Sequence, residues 1–251
     1  MRLRRIFIHG LLYGPYLFHK ITATGAFGPG GATSLPEPVR PDASPLKAAL
    51  FRHHVKQYHE ASCSVASVVT AINAIRDIQG DRSRPITQMD ILQKVRTGYW
   101  QERMSPEGHN GRRGLPLSLL GEIVQSSLDI YSVAYKTVET VTGAQDAVLA
   151  EKKRRELRDR LIDFETKGDS LIIAHFGQGT FVKTLNIPHI SPVGGFSVQG
   201  GHVTILDVDP DQDKPYRVPF DTFCKGLFSR YNPVLRLFGY RTGGYIFIKL
   251  A

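Results

Sequence analysis

The sequence predicts an α+β fold in which a helical lobe packs on an antiparallel β-sheet lobe. Apolar residues recur with helical spacing up to about residue 165, whereas β-prone and alternating runs dominate from residue 170 onward. Helices first and strands later are typical of α+β domains rather than of alternating α/β domains. With 251 residues, 41% of them hydrophobic, the chain can bury one sizeable core or two small lobes.

The predicted helices come first along the chain. Their apolar residues fall on one face, and Ser, Thr or Pro stands near several of their starts. They comprise residues 45–56, 63–78, a helix capped by Thr87 that carries Ile91, Leu92 and Val95, and then residues 115–128 and 144–165. Residues 99–113, which include the only tryptophan, Trp100, are predicted to form a surface loop.

The predicted strands are apolar or alternating runs separated by turn residues. They comprise residues 128–135, 171–176, 181–184, 190–196, 203–208 and 243–250. The glycine-containing turn at residues 197–201 is short enough to join the strands on either side of it. These two strands are therefore expected to form an antiparallel hairpin.

Residues 1–46 are predicted to be a basic extension in front of one catalytic domain, residues 47–251. Residues 1–18 combine early arginines with a short apolar run, which favours either a signal or membrane-associated anchor, or an arm packed on the domain. The run is too short to span a bilayer. A signal or anchor would indicate an exported or periplasmic protein, and an arm a cytoplasmic one. Residues 24–46, rich in Gly, Pro and Ser, are predicted to be a linker.

The net charge of +9 is concentrated near the N-terminus. Residues 1–56 carry eight basic and two acidic side chains, and so contribute +6 of the total. No zinc-finger, helix-turn-helix or aromatic RNA-binding pattern accompanies this charge. A nucleic-acid partner is therefore not predicted.

The chain has two cysteines, Cys63 and Cys224. Two cysteines are too few for a disulfide scaffold, and their spacing is not that of zinc ligands. Neither a metal site nor a tightly bound cofactor is predicted. A disulfide between the two cysteines is the alternative, and it would consume Cys63.

Cys63 has the sequence surroundings of a nucleophile. It follows Ser62, a residue type that caps helices, and so lies in a first helical turn whose free N–H groups and dipole favour a thiolate. Gln57, six residues earlier, can fold over this turn. Its side-chain amide and the Cys63 N–H would then form a two-donor oxyanion hole. The alternative is a buried structural cysteine at a helix start.

The β-rich half of the sequence offers a base and a carboxylate that could orient it. His189 and Asp207 are 18 residues apart and fall on the two strands of the predicted hairpin. Such a hairpin can place an imidazole beside a carboxylate, as a catalytic triad requires. His189 would accept the thiol proton and later donate it to the leaving amine. His202, at the start of the same hairpin's second strand, is a rival base. Three other histidines are expected to have surface or packing roles: His53, His54 and His59.

Four blocks of the sequence resemble the phytochelatin synthase family, in its short form without a cysteine-rich C-terminal region. They are QYHEASCSVASVVTAINA, GQGTFVK, HISPVGGF and TILDVDPDQDKPYRVP, and RRGLPLSLL near Gly114 resembles the family's segment between the Cys and His blocks. The resemblance runs, with gaps, from about residue 57 to the C-terminus. The positions that match the family's motifs are Gln57, Cys63, Ala66, Ser67, Asn73, Ala74, His189, Ser191, Pro192 and Asp207.

The resemblance implies a papain-like fold, with the active site in a cleft between the lobes, and a cysteine transpeptidase or peptidase acting on glutathione. Cys63 would attack the Cys–Gly amide and release glycine. The γ-glutamylcysteinyl group would then pass to a second glutathione, giving phytochelatin, or to water. Cadmium or zinc would enter as a metal–glutathione thiolate substrate or as an activator. Substrate contacts are expected from Gln178, Gly179, Ser191, Gly194 and Gly195.

The sequence departs from the family pattern at three places. Gln178 stands where the family has Arg, and the acidic run at residues 209–213 stands where the family has basic and aromatic residues. Ser62 and Ser64 replace a Tyr and a Gly beside Cys63. Two alternatives remain open. One is a papain-like peptidase acting on another γ-glutamyl or peptide substrate, and the other is a non-catalytic, membrane-peripheral protein of the same fold.

Overall fold

The fold is organised around one antiparallel sheet. A computed structural model describes residues 32–34, 44–144, 146–182, 187–231, 233–236 and 238–251. Across the sheet the strands follow the order β1-β6-β5-β4-β3-β7-β2, and every neighbouring pair is antiparallel. The strands are β1 (Thr33–Ser34), β2 (Tyr135–Thr142), β3 (Ser170–Gly177), β4 (Pro188–Ser197), β5 (His202–Ile205), β6 (Tyr216–Pro219) and β7 (Gly244–Leu250).

Helices cover both faces of this sheet. The helices of the described chain are α1 (Pro45–Arg52), α2 (Cys63–Ile78), α3 (Gln88–Lys94), α4 (Trp100–Met104), α5 (Leu117–Ile130), α6 (Ala147–Thr166), α7 (Phe220–Phe228) and α8 (Pro233–Arg236). Helices α1 to α5 share one apolar core with one face of the sheet, through residues such as Ile173 and Ile190. Residues of α6 and α7 share a second core with the other face, through residues such as Phe176. The predicted α+β architecture is confirmed.

Helix α2 lies at the centre of the helical lobe and is buried from Cys63 to Ile75. Because it is enclosed on all sides, its polar side chains need partners inside the protein. Asn73 bonds both backbone groups of Ile86, and Ser64 accepts a hydrogen bond of 3.1 Å from the indole N–H of Trp100. Trp100 is fully buried in α4, so the prediction that it lies in a surface loop is wrong.

One strand prediction is wrong, and a second is wrong for those of its residues that the structure describes. Residues 128–135 are not a strand, because α5 continues to Ile130 and Leu128 belongs to its buried face. The N–H of Val133 bonds the carbonyl of Leu128 at 2.9 Å, and Ser132 adopts a φ of 52°, so the chain turns before β2 begins. Phe181 follows a 3₁₀ turn (Gln178–Thr180) and packs on Phe176 with ring centroids 4.4 Å apart. The rest of the predicted strand at 181–184 lies partly outside the described residues.

Part of the predicted N-terminal extension belongs to the sheet. Thr33 and Ser34 form β1, which pairs with Arg217 and Tyr216 of β6. The proposed signal or anchor at residues 1–18 lies outside the described residues. Among the residues that are described, no helix is long and apolar enough to cross a membrane.

Candidate active site

Cys63 is the first residue of α2, and its side chain is almost enclosed, with 9% of the residue exposed. Ser62 occupies the N-cap position, but its hydroxyl makes no hydrogen bond to the helix. That hydroxyl instead donates to the carbonyl of His59 at 2.8 Å and accepts from the His59 N–H at 3.0 Å. Ser62 is thus the N-cap residue by position, as predicted, but its side chain closes the preceding turn instead of capping the helix. This turn delivers Cys63 to the helix start, where its backbone N–H has no helical partner.

His189 and Asp207 meet on the hairpin formed by β4 and β5. His189 lies near the start of β4 and Asp207 just after β5, where the N–H of Leu206 bonds the carbonyl of Pro192. The Nε2 of His189 donates to Oδ1 of Asp207 at 2.7 Å, and the side chain of Cys63 lies near enough to His189 to help raise the pKa of the imidazole. Since Nε2 is engaged by Asp207, Nδ1 is the ring nitrogen that remains for Cys63.

Burial and charge act in opposite directions on this imidazole. Burial alone would lower the pKa of His189, but the Asp207 carboxylate and the Cys63 side chain outweigh it and raise that pKa well above 6.5. The protonated imidazole is therefore stabilised between the carboxylate and the sulfur.

Asp207 is completely buried and is held as a carboxylate by several donors. Burial alone would raise its pKa, but His189, the Tyr216 hydroxyl and the Asp209 N–H lower it to about 2. The Tyr216 hydroxyl donates to Oδ2 at 2.6 Å, and the Asp209 N–H donates to Oδ1 at 2.9 Å. Tyr216 was not singled out from the sequence, although it belongs to a block that resembles the family.

Ser67 ties the helix that carries Cys63 to the strand that carries His189. Its hydroxyl lies 2.8 Å from the carbonyl of Cys63, one turn earlier in α2, and 2.9 Å from the carbonyl of Ile190 on β4. Ser67 is fully buried, so these carbonyl oxygens are its partners in place of water. The contact fixes the spacing between the thiol and the imidazole.

Gln57 is held beside Asp207 through its backbone. Its N–H donates to the carbonyl of Val208 at 2.8 Å. The side-chain oxygen of Gln57 is buried and has no hydrogen-bond partner within the described chain. An oxyanion hole would use the amide nitrogen of Gln57 rather than this oxygen, and the oxyanion role of Gln57 stays a prediction.

The remaining histidines have other partners. His202 pairs with Ser197 at the far end of β4, eight residues from His189, which corresponds to roughly 25 Å along the strand. This placement argues against His202 as the base. His53 bonds Asp77 at 3.1 Å, and His59 accepts the N–H of Ala61. His54 bonds the carbonyl of Asp207 at 3.0 Å.

One side of the site carries a packed group of rings that sequence reasoning missed. His175, fully buried on β3, bonds the Tyr231 hydroxyl at 2.8 Å and the Leu115 carbonyl at 3.1 Å. Burial lowers its pKa to about 4, so this imidazole is neutral. Burial also raises the pKa of Tyr231 and Tyr240, and the electrostatic influence of Cys63 adds to it. Tyr231 and Tyr240 therefore lie near Cys63.

The predicted substrate contacts fall into two groups. Ser191, Gly194 and Gly195 are buried within β4. The Ser191 hydroxyl accepts the Val208 N–H, and a Cβ on Gly194 would come within 2.7 Å of Leu206. These contacts explain Ser191 and Gly194 by packing, and for Ser191, Gly194 and Gly195 a substrate role stays a prediction.

Gln178 and Gly179 belong to the 3₁₀ turn that follows β3. Gln178 is buried, and its amide nitrogen donates to Asp209 at 2.7 Å. Two departures from the family pattern, Gln178 and the start of the acidic run, are thus in contact with each other. For these two residues a substrate role stays a prediction.

Both cysteines are free, so the alternative of a disulfide between them is wrong. Cys224 lies on α7 in the core on the other side of the sheet, where burial raises its pKa to about 12. No group of three or more His, Cys, Asp or Glu that could hold a metal occurs among the described residues.

A thiol at a helix start, paired with an imidazole that a buried carboxylate orients, is typical of cysteine enzymes that form acyl thioesters. Comparison with known families gives a more specific result: the profile described as phytochelatin synthase matches residues 42–229, about three quarters of the chain. The chain belongs to the phytochelatin synthase family, a family of γ-glutamylcysteine transferases. No curated protein matches it.

Proposed function

We propose that this protein cleaves the Cys–Gly amide of glutathione through an acyl thioester on Cys63 and transfers the γ-glutamylcysteinyl group to a second glutathione or to water. The observation that carries this proposal is the hydrogen bond between His189 and Asp207, with Cys63 close enough to help raise the His189 pKa, in a chain of this family. Membership of the family supports glutathione as the substrate, and the geometry supports the chemistry.

In the first half-reaction, the sulfur of Cys63 attacks the carbonyl carbon of the Cys–Gly amide. His189 takes up the thiol proton and donates it to the glycine nitrogen as the C–N bond breaks. Asp207 holds the imidazole in the orientation and charge state that this transfer needs. The Gln57 amide and the Cys63 N–H stabilise the oxyanion of the tetrahedral intermediate.

In the second half-reaction, the amino group of another glutathione or a water molecule attacks the thioester carbonyl. His189 accepts the proton of the attacking group and returns one to the sulfur, which restores the thiol. Cadmium or zinc would enter as a metal–glutathione thiolate, and so as part of the substrate or as an activator. Such a role does not require a metal site built from protein side chains.

The test is incubation of the purified protein with glutathione, with and without cadmium. Released glycine, γ-Glu-Cys and phytochelatins are quantified by mass spectrometry. We expect glycine to be released together with an equal amount of γ-glutamylcysteinyl product, and the ratio of phytochelatin to γ-Glu-Cys gives the partition between transfer and hydrolysis. If glutathione stays intact under all these conditions, the proposed function is wrong.

Removal of the Gln57 amide should slow the acylation step. We expect Gln57→Ala to lower kcat for glycine release by about 10²-fold and to change KM less than about threefold, because an oxyanion donor acts mainly in the transition state. The backbone contact between Gln57 and Val208 survives this substitution. Steady-state kinetics of glycine release measure the effect.

Gln79→Ala is the matched control for this prediction. Gln79 bonds the backbone of Ala134 just beyond the other end of α2, roughly 24 Å from Cys63 along the helix. The Gln79→Ala protein should retain the wild-type kcat for glycine release. A Gln57→Ala protein as active as Gln79→Ala would contradict the oxyanion role.

One observation favours a second substrate class, another γ-glutamyl compound or a peptide. Gln178 provides no cation where the family has Arg, and its amide is bonded to Asp209. A substrate carboxylate would therefore lack a charged partner at this position. The two substrate classes are separated by comparing kcat/KM for glutathione, its C-terminal amide and longer γ-glutamyl peptides. If glutathione is the substrate, it should have the highest kcat/KM of the three.

A further inference from the structure

The segment before Cys63 lies along the chain that carries Asp207. His54 Nε2 bonds the carbonyl of Asp207 at 3.0 Å, and the ammonium of Lys56 donates to the same carbonyl at 2.7 Å. Lys56 also donates to the carbonyl of Gln212 at 2.5 Å, and the Gln57 N–H donates to that of Val208. Three nearly consecutive residues thus contact Asp207 or its neighbours.

These contacts are formed away from bulk water. Lys56 is half-buried, and its own carbonyl accepts the side-chain amide of Gln88 at 2.8 Å. Burial lowers the pKa of His54 to about 4, and the nearby Lys56 contributes, so His54 is neutral and donates through Nε2–H. The Asp207 carbonyl therefore has both of its acceptor positions filled by side-chain donors.

The acidic run at residues 209–213 has a role in this arrangement. Burial lowers the pKa of Lys56, whereas the carboxylates of Asp207, Asp209 and Asp213 act against that shift. Buried ammonium groups need nearby negative charge to stay ionised. Two of the acidic residues that distinguish this chain from the family pattern, Asp209 and Asp213, thus act together with Asp207 to favour the charged form of Lys56.

We propose that His54 and Lys56 are positioning residues that hold the backbone of Asp207 in place and keep Gln57 in register with it. The inference rests on the proposed function, because it assigns a role relative to the same site. The orientation of the Asp207 carboxylate depends on its backbone, and a shift of about 1 Å in a catalytic group can cost on the order of 10²-fold in rate. Neither residue touches the reacting atoms, so each acts through Asp207 and Gln57.

The test uses Lys56→Met, which removes the donor and keeps a long apolar stem, and Lys56→Arg, which keeps a cationic donor. We expect Lys56→Met to lower kcat for glycine release about tenfold with KM little changed, and Lys56→Arg to restore most of the loss. The pair His54→Leu and His54→Gln repeats the comparison, since glutamine retains an N–H donor at similar reach. If Lys56→Met fails to fold, the two His54 variants still test the proposal.

A second readout does not depend on the substrate. The rate of Cys63 alkylation by iodoacetamide at pH 6, without glutathione, reports how well His189 and Asp207 support the thiolate. We expect this rate to fall about threefold or more in Lys56→Met and in His54→Leu, and to recover in Lys56→Arg and in His54→Gln. If glutathione is not the substrate, this result still stands, so failure of the proposed function and failure of the positioning role are distinguishable.

Lys249→Met is the matched control. Lys249 is a half-buried lysine paired with Asp169, and it lies beside Ser170, at the end of β3 roughly 20 Å from the end that pairs with His189. It should lose stability in thermal denaturation but keep the alkylation rate and kcat. The proposal is overturned if Lys56→Met and His54→Leu lower the melting temperature as Lys249→Met does and leave both catalytic readouts unchanged.

Discussion

Replacement of Cys63 by Ser is expected to lower glycine release from glutathione by about 10⁴-fold or more. A serine hydroxyl keeps the size of the side chain but is a far weaker acid than a thiol, so His189 cannot readily take up its proton. The rate is measured by mass spectrometry of released glycine under saturating glutathione. Retention of more than a tenth of the wild-type rate would show that Cys63 is not the nucleophile.

Cys224→Ser makes the same chemical change at the other free cysteine and serves as the control. Cys224 lies in the core on the opposite face of the sheet, where burial raises its pKa to about 12. Its replacement should lower the melting temperature slightly and leave the rate unchanged. Iodoacetamide should modify Cys63 faster than Cys224, whereas a buried structural Cys63 would react no faster than a free thiol.

The chemical residues of the site could be predicted because each carries a local signal. Cys63 opens a strongly periodic helix, and His189 and Asp207 flank a short turn between two strands, so secondary structure alone brings the pair together. The hydrophobic periodicity of the sequence does not predict the contact between this hairpin and α2. It depends on Ser67, whose hydroxyl bonds backbone carbonyls of both elements.

The residues that support the site carry no comparable signal. Tyr216 reaches Asp207 only because β6 pairs with β5, and β6 was not predicted from its short sequence. Lys56 and His54 bind a backbone carbonyl, and backbone acceptors are present at every position, so no spacing in the sequence reveals such a contact. The sequence therefore predicts the candidate group of Cys63, His189 and Asp207 but not the residues that hold this group in place.

The wrong element boundaries have the same origin. The apolar residues at 128–133 suit a strand as well as a helix end, and the left-handed turn at Ser132 decides between them. The polar residues that follow Trp100 predict a surface loop, yet its indole is buried in the core and donates to Ser64. In both cases tertiary packing overrides a short local pattern.

Replacement of Asp207 by Asn is expected to lower kcat by about 10³-fold while KM changes less than about threefold. Asn keeps the shape of the side chain but removes its charge. Without that charge, burial lowers the pKa of His189 and only the Cys63 side chain acts against it, so the pKa should fall. The imidazole would also no longer be paired with a carboxylate. Comparison of kcat between pH 5 and 9 for both proteins measures the effect.

The same substitution should change how stability depends on pH. The pKa of Asp207 is lowered in the folded protein. The ionised carboxylate therefore stabilises the folded state above about pH 3.8, and this stabilisation is lost as pH falls toward 2. The pKa of His189 is raised in the folded protein. The protonated imidazole therefore stabilises the folded state fully below about pH 6.5, and this stabilisation is lost as pH rises through the pKa that His189 has in the folded protein. The two windows overlap between about pH 4 and 6.5.

Wild type and Asp207→Asn should therefore differ most in melting temperature within this overlap, and the difference should shrink on both sides of it. Thermal denaturation followed by circular dichroism at intervals from pH 3 to 9 measures this profile. Tyr216→Phe, which removes a neutral donor to Asp207 and leaves the charge pair, should give a much flatter profile. A difference between wild type and Asp207→Asn that is constant with pH would mean that the buried carboxylate and imidazole are not charged together. The proposed proton transfer through His189 would then lose its physical basis.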